Sequence, residues 1–303
     1  MRLKEWGAFV LLGLIWGSSF LWIKIAVAET GPFMLVTFRL LFGLAGLLVL
    51  LALRRQAVPR DRKVLLAFLF MGFFNTALPF TLITWGETLI DSSLASILNA
   101  TVPLFTILLA HFWLQDEKIT APRLAGLAVG FLGTVVLVSR DLGPDALRGS
   151  LWGQLAVIAA SVSYALGITF SRKHLRGQPP MLQAGMVLLI ASGMMAIATP
   201  IVERPLNLPD TGLGWFAIAW LGLLGSCAAY MLFFYLINAW GPTRASMVTY
   251  VFPVIGLLLG IVFLNEPVDW RLLAGSALIV AGIVVVNLKL RPRPTPMAAV
   301  AAD

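Results

Sequence analysis

Two stretches of equal length decide how this chain is read: ASILNATVPLFTILLAHFWL at 95–114 and ASMVTYVFPVIGLLLGIVFL at 245–264. Neither contains Asp, Glu, Lys or Arg, and each has the length of a helix that crosses a lipid bilayer, about 20 residues. When the second is shifted back by 150 residues, the identical positions are Ala95/Ala245, Ser96/Ser246, Pro103/Pro253, Leu108/Leu258, Leu109/Leu259 and Leu114/Leu264. The sequence therefore predicts a membrane protein with an internal repeat.

The rest of the chain has the same apolar character. Its 303 residues are 59% hydrophobic and 12% charged, with a mean hydropathy of +0.92, whereas soluble domains carry about 25% charged residues. Soluble, disordered and collagen-like classes are thus excluded. The pattern predicts an all-α polytopic membrane protein with ten transmembrane helices, at about 6–27, 33–53, 64–86, 92–114, 122–139, 151–171, 181–201, 214–238, 245–264 and 271–288.

The basic residues are distributed unevenly between the predicted loops. With a cytoplasmic N-terminus, sixteen of the 22 Lys and Arg residues lie on the cytoplasmic side, four on the other side, and Lys24 and Arg39 within spans. This is a strong positive-inside bias, and it predicts that both termini are cytoplasmic. The net charge of +8 therefore indicates topology, and we expect the lipid bilayer and no nucleic acid as a partner. The tail at 292–303, PRPTPMAAVAAD, is predicted to be disordered.

The repeat continues beyond the two opening stretches. After a one-residue deletion, Glu117 matches Glu266, and matched glycines follow at Gly126/Gly275 and Gly133/Gly282. Five spans fall in each copy, an odd number, so the second copy must enter the membrane from the opposite side. We expect two inverted five-helix repeats, at 1–145 and 146–291. Inverted repeats are typical of transporters that work by alternating access.

Several segments resemble the EamA family of the drug/metabolite transporter (DMT) superfamily: WGSSFLWIKIA at 16–26, Pro32 with Arg39, and AWGPTRASMVTYVFPVIGLLLGIVFLNEP at 239–267. The resemblance covers about residues 6–288 and is specific for the family but weak for the substrate. It implies ten helices around a central cavity and export of small metabolites through a bacterial inner membrane. Within the family, the resemblance suggests the YddG-type branch of aromatic and neutral amino-acid exporters.

Acidic residues bear on the driving force, because a carboxylate inside a span usually marks a proton or cation path. All fourteen here lie at predicted span ends or in loops. Facilitated diffusion or exchange is therefore favoured over a proton-coupled drug or metabolite efflux pump, and a cationic substrate is disfavoured. There is no GxxxxGK[ST] sequence and no HExxH pair. We expect no cofactor, no metal and no enzymatic activity, and an intramembrane enzyme or a channel remains a remote alternative.

Two basic residues lie inside predicted spans. Lys24 either extends to the outer interface, pairs with Glu29, or attracts a substrate carboxylate. Arg39 lies deeper, and an interior position near a substrate carboxylate is favoured for it. Further polar and aromatic positions within spans are either helix-packing contacts or part of the substrate pathway. The predicted pathway residues are Trp16, Ser18, Lys24, Arg39, Asn75, Asn99, Tyr164, Tyr230 and Tyr250.

Three prolines interrupt predicted spans: Pro79, Pro103 and Pro253. A proline inside a helix removes one backbone donor and bends the chain. Since Pro103 and Pro253 are repeat-equivalent, paired gating hinges are favoured over static kinks. Glycines spaced by four residues are expected to allow close packing between helices of the same chain. The protein is accordingly expected to be a monomer or weak dimer. The substrate is expected to be a small neutral or zwitterionic molecule, with amino acids first.

Overall fold

A computed structural model describes residues 3–54, 60–115, 119–138 and 150–287. Within these ranges the chain is helical, without strands. Glu117 and the predicted disordered tail at 292–303 lie outside the described residues. The α-helices are α1 (Leu3–Val27), α2 (Pro32–Arg54), α3 (Arg62–Gly72), α4 (Leu78–Glu87), α5 (Ser92–Asn99), α6 (Val102–Trp113), α7 (Ala121–Val138), α8 (Ser150–His174), α9 (Pro180–Val202), α10 (Gly212–Gly222), α11 (Ala229–Trp240), α12 (Pro242–Ser246), α13 (Phe252–Leu264) and α14 (Trp270–Asn287).

Eight helical segments within the described residues are long and apolar enough to cross a membrane. Four of them join two or more of the helices above: 62–87, 92–113, 212–240 and 242–264. The apolar parts of α7 and α14 are shorter, at Ala121–Val136 and Trp270–Gly282. Eight of the ten predicted spans thus coincide with helices of membrane-crossing length, and the predicted spans at 122–139 and 271–288 coincide with the two shorter apolar helices. The fold is that of a polytopic membrane protein, in which a helix satisfies its own backbone groups where water is absent.

The four segments that join more than one helix are interrupted by irregular turns. A π-helical segment, Phe73–Ala77, joins α3 to α4, and another, Leu223–Ala228, joins α10 to α11. Their first residues are 150 positions apart, which is the offset found in the sequence. A 3₁₀ segment, Met247–Val251, joins α12 to α13. π-helical segments widen the turn and are frequent at functional sites.

Pro79 and Pro253 lie at the start of helices that follow two of these irregular turns, and Pro103 lies at the start of a helix that follows a turn at Ala100 and Thr101. Pro79 is the second residue of α4, Pro103 the second of α6 and Pro253 the second of α13. In the first turn of a helix a proline lacks only an N–H that has no intrahelical partner. The prolines therefore begin new helical segments within interrupted spans.

Carboxylates on the connections hold the first turns of three helices. Such contacts satisfy N–H groups that have no partner inside the helix and place a negative charge at its positive end. The contacts are Glu203 to the N–H groups of Phe33 (2.8 Å) and Met34 (3.3 Å) in α2, Glu266 to those of Ser92 (2.8 Å) and Ser93 (2.9 Å) in α5, and Glu29 to that of Thr211 (3.0 Å) before α10. All three helix starts lie on the side predicted to face outward.

Glycines allow close contacts between helices of the same chain. A Cβ atom at Gly13 or Gly17 of α1 would lie 2.9 Å from Val251 or Ile255, respectively. A Cβ atom at Gly133 of α7 would lie 2.8 Å from the carbonyl oxygen of Gly275 in α14. These contacts agree with the expected close packing within the chain.

Candidate substrate cavity

A cavity lies between the two halves of the described helices. It encloses about 530 Å³ of space free of protein atoms, its opening included. Two clusters of buried apolar side chains flank it, and Trp16 and Tyr164 pack against both clusters. The lining residues come from both halves of the chain: Trp16, Ser19, Phe20, Ile23, Arg39, Ile83, Asn99, Val102, Tyr164, Ile168, Phe233, Ser246, Thr249 and Phe252.

Arg39 is the charged member of the described lining. The side chain is 3% exposed, and its guanidinium carbon lies 3.7 Å from the centre of the Phe80 ring. Its Nε donates to Oγ of Ser226 at 3.1 Å. Among the described residues, that is the hydrogen bond that Arg39 makes. The ring and the hydroxyl fix the guanidinium plane, and the two Nη groups remain able to bind an anion bidentately.

The second π-helical segment positions this arginine and the neighbouring tryptophan. Trp16 Nε1 donates to the carbonyl oxygen of Gly225 at 2.8 Å, and Ser226, the partner of Arg39, donates to the carbonyl oxygen of Leu221 at 3.1 Å. The irregular backbone thus offers acceptors that a regular α-helix would use internally. Two residues of the cavity are held by one irregular turn.

The first π-helical segment has similar contacts. The carbonyl oxygen of Asn75 accepts a hydrogen bond from the Tyr230 hydroxyl at 2.9 Å, and that of Phe74 accepts one from Ser163 at 2.6 Å. Asn75 and Gly225 are equivalent at the 150-residue offset. In both halves, therefore, a carbonyl at the same repeat position receives an aromatic side-chain donor from the other half.

Aromatic rings form much of the remaining surface. The ring of Trp16 lies 5.0 Å from Phe233 and 6.3 Å from Phe252, and Phe20 lies 5.7 Å from Phe252. These edge and tilted contacts are favourable between aromatic rings. The cavity therefore offers a cationic site in an apolar, ring-lined surrounding.

Hydroxyl and amide oxygens lie on the wall as well. The Ser246 hydroxyl donates to the carbonyl oxygen of Thr243 at 2.9 Å, and the Thr249 hydroxyl to that of Ser246 at 3.0 Å. The Asn99 amide oxygen accepts from Ser161 at 3.2 Å. Because the hydroxyl hydrogens are used locally, the oxygens remain as acceptors. They suit a ligand that donates hydrogen bonds, such as an ammonium group.

Of the nine predicted pathway residues, the structure brings four to the cavity: Trp16, Arg39, Asn99 and Tyr164. The other five lie elsewhere. Ser18 donates to the backbone of Ile15 at 2.9 Å, Asn75 packs against Gly167, and the Tyr230 hydroxyl bonds to Thr76 at 2.8 Å. Tyr250 follows Thr249 on the 3₁₀ segment but is not part of the lining.

Lys24 takes a position that differs from the predicted pairing with Glu29. Its ammonium group donates to the carbonyl oxygens of Glu87 at 2.7 Å and Ile90 at 2.8 Å. It therefore stabilises the C-terminal end of α4, where cations are favoured, and it is not paired with Glu29. Glu29 instead accepts a hydrogen bond from the Thr211 hydroxyl at 2.5 Å.

Glu87 was missed as a buried group in the sequence. It ends a span as predicted, yet it is 0% exposed. Both carboxyl oxygens are without a hydrogen-bond partner among the described residues. Its position beside the polar sequence Thr88 to Ser93 suggests an accessible span end, so no local signal distinguishes it from a solvated glutamate.

The fold and the cavity together define a polytopic membrane transporter. The EamA-like transporter family model matches the chain twice, at residues 5–139 and 151–288. The chain belongs to the EamA-like transporter family, as the resemblance predicted.

Individual relatives cover almost the full length. The chain is 32% identical to "Uncharacterized inner membrane transporter YedA" of Escherichia coli K12, over 95% of this chain and 93% of that protein. It is 27% identical to an "Uncharacterized transporter" of Archaeoglobus fulgidus, over 95% of this chain and 100% of that protein. A solved crystal structure shares the fold, with a TM-score of 0.71 and 21% identity over 95% of this chain and 97% of the other.

Proposed function

We propose that this protein exports small zwitterionic metabolites, with neutral and aromatic amino acids first, across the bacterial inner membrane. The observation that carries the proposal is Arg39, a buried guanidinium on the cavity wall whose described hydrogen bonding involves Nε alone. A buried cation without a bound anion is costly in a membrane protein. A substrate carboxylate would offset that cost on binding.

The remaining wall fits the other parts of an amino acid. The α-ammonium group would donate to the oxygens of Asn99, Ser246 or Thr249, and an apolar side chain would contact the Trp16 and Phe252 rings. A mostly apolar pocket with a few convergent polar groups is typical of sites for small ligands. The described lining contains no carboxylate, which weighs against a cationic drug as cargo.

Alternating access between two inverted repeats is the mechanism that we propose. Support comes from the two separate matches to the family model at 5–139 and 151–288 and from π-helical segments at equivalent positions. The repeats would comprise residues 1–145 and 146–291. Pro103 and Pro253, each at the second position of a helix after an irregular turn, would act as paired hinges, with Pro79 as a third.

Topology and location follow the charge pattern and the relatives. The Escherichia coli relative is named as an inner membrane transporter, and we assign this chain to the same membrane with both termini cytoplasmic. The protein would act without cofactor, metal or catalytic chemistry, as a monomer or weak dimer. Facilitated transport or exchange is the simplest driving scheme. Proton-coupled transport is the second candidate, and the buried Glu87 carboxyl favours it.

Counterflow in proteoliposomes tests the proposal. Vesicles loaded with unlabelled amino acids are diluted into labelled phenylalanine, with a panel of the standard amino acids and several cationic dyes as competitors. Saturable uptake that is accelerated by internal phenylalanine supports exchange by alternating access. Uptake that does not saturate would indicate a channel, and competition by dyes alone would indicate a drug pump.

A further inference from the structure

The carboxyl group of Glu87 is the buried polar group that the proposed cavity does not use. It lies at the end of α4, 0% exposed, with neither oxygen bonded within the described chain. Thr84, one turn earlier on the same face of α4, is also 0% exposed and has an unbonded hydroxyl. An ionised carboxylate buried without a partner is strongly unfavourable, whereas the neutral acid is tolerated.

The charged groups that act on Glu87 come from three directions. They are Lys24 on α1, Arg39 on α2, and Glu266, which binds the start of α5. The Lys24 ammonium group donates to the backbone carbonyl oxygen of Glu87 at 2.7 Å and not to its carboxyl group. Glu266 is already bonded to Ser92.

Among the described residues, the other helical segments packed on α4 add no charge beside Glu87, and the nearby acidic residue in the sequence is Asp91, which precedes α5. α8 touches α4 where a Cβ at Gly86 would lie 3.0 Å from the carbonyl oxygen of Gly153. The basic residues of α8 are in its last turn, at the opposite end. The α5 segment and the π-helical segment Phe73–Ala77 contain no ionisable side chain. Lys24 is thus held by carbonyl groups, and Arg39 contacts Ser226 and Phe80 rather than the Glu87 carboxyl group.

We propose that Glu87 is a proton-binding site, neutral in the conformation described here, that loses its proton in another state of the transport cycle. Ionisation would draw the Lys24 ammonium group from the α4 carbonyls to the carboxylate and loosen the contact between α1 and α4. Both helices line the cavity, through Ile23 of α1 and Ile83 of α4. Protonation and cavity shape are thereby linked, and the protein carries a proton through its cycle.

Infrared spectroscopy tests the protonation without any substrate. The purified wild-type protein at neutral pH is expected to show the carbonyl stretch of a buried, protonated carboxylic acid, and Glu87→Gln is expected to lack it. Asp61→Asn is the matched control, since Asp61 is exposed and caps α3 through the Lys63 N–H at 2.8 Å, a role that asparagine also fills. A wild-type spectrum without the band, or a band retained in Glu87→Gln, overturns the proposal.

A flux measurement tests the link to transport, and it rests on the proposed function. Proteoliposomes with the membrane potential clamped by valinomycin and potassium receive a pH gradient and labelled phenylalanine. One proton moved per cargo molecule concentrates the cargo up to about tenfold per pH unit, because one unit is about 1.4 kcal/mol. Wild-type protein is expected to accumulate phenylalanine in one compartment. Accumulation on the acidic side indicates that protons and phenylalanine move in opposite directions, and accumulation on the alkaline side indicates that they move together.

The variants separate the possible failures. Glu87→Gln removes an ionisable group without leaving a buried charge, so its melting temperature is not expected to fall. It should keep counterflow at symmetric pH and lose accumulation under the gradient, whereas Glu87→Asp should keep both the infrared band and accumulation. Equal accumulation in wild type and Glu87→Gln contradicts the proposal. Accumulation that is driven by a sodium gradient without any pH gradient contradicts it as well. If wild-type protein moves no phenylalanine, the amino-acid function fails while the infrared result still decides the proton site.

Discussion

Replacing Arg39 by glutamine removes the charge from the described cavity wall and leaves a shorter, neutral side chain that can still donate a hydrogen bond. In the wild-type protein, the two Nη groups would each donate a charged hydrogen bond to a substrate carboxylate, worth about 1.5–3 kcal/mol apiece. Glutamine recovers one neutral bond of about 1 kcal/mol. Because water in the open cavity screens part of the charge, we take the lower value for each charged bond. Two such bonds lost and one neutral bond recovered leave a loss of about 2 kcal/mol in binding free energy.

That loss corresponds to a rise of about 30-fold in the half-saturation concentration for phenylalanine. Arg39→Gln is assayed by counterflow in proteoliposomes beside wild type and Arg176→Gln, a control at an exposed position in the connection after α8. The melting temperature is measured in parallel. Since the variant removes a buried cation, no large loss of stability is expected. Half-saturation within twofold of wild type, in protein that melts normally, would refute the role of Arg39 in binding the carboxylate.

Two further predictions concern the hinges and the outer connections. Pro103→Ala combined with Pro253→Ala should fold with an unchanged melting temperature but reduce the maximal counterflow rate about tenfold or more, the change that follows from raising a barrier by 1.4 kcal/mol; an unchanged rate would make both prolines static features. The Thr211 hydroxyl lowers the pKa of the Glu29 carboxyl, so this contact stabilises the protein above the ordinary pKa and is lost as the pH falls through the lowered one. Melting curves of wild type and Glu29→Gln should therefore converge on acidification, and a constant gap would contradict the contact.

The spans were predictable because membrane burial leaves a strong compositional signal. Eight of the ten predicted spans coincide with described helices long and apolar enough to cross a membrane, and the other two with shorter apolar helices. The family was identified from segments such as WGSSFLWIKIA. The irregular turns inside the spans were only partly visible. Pro79, Pro103 and Pro253 marked three interruptions, but the π-helical segment at Leu223–Ala228 contains no proline.

The cavity was less predictable than the spans, for a physical reason. Whether a polar side chain faces a cavity or a neighbouring helix depends on contacts between residues far apart in sequence. Trp16 reaches Gly225 across 209 positions, and Tyr230 reaches Asn75 across 155. Ser18 and Ser19 are adjacent, yet it is Ser19 that lies on the wall. Helical periodicity alone does not say which face meets the cavity.

Glu87 shows the same limit for a charged residue. A glutamate at a span end followed by polar residues is normally solvated, and the sequence suggested no reason to expect otherwise. The end of α4 is packed against α8, where Gly86 and Gly153 allow close approach, and against α1, where Lys24 binds the Glu87 carbonyl oxygen. A pattern of glycines on two distant helices would have to be paired correctly before that burial could be predicted.

The binding of a substrate carboxylate by Arg39 is tested most directly by comparing analogues that differ in one group. Labelled phenylalanine counterflow is measured with unlabelled phenylalanine, phenylalanine amide and phenethylamine as competitors, in wild type and Arg39→Gln. Phenylalanine is expected to compete at least tenfold better than the two analogues without a carboxylate, as the loss of one charged hydrogen bond implies, and this preference should largely disappear in Arg39→Gln. Equal competition by all three compounds in the wild-type protein would contradict a carboxylate site at Arg39.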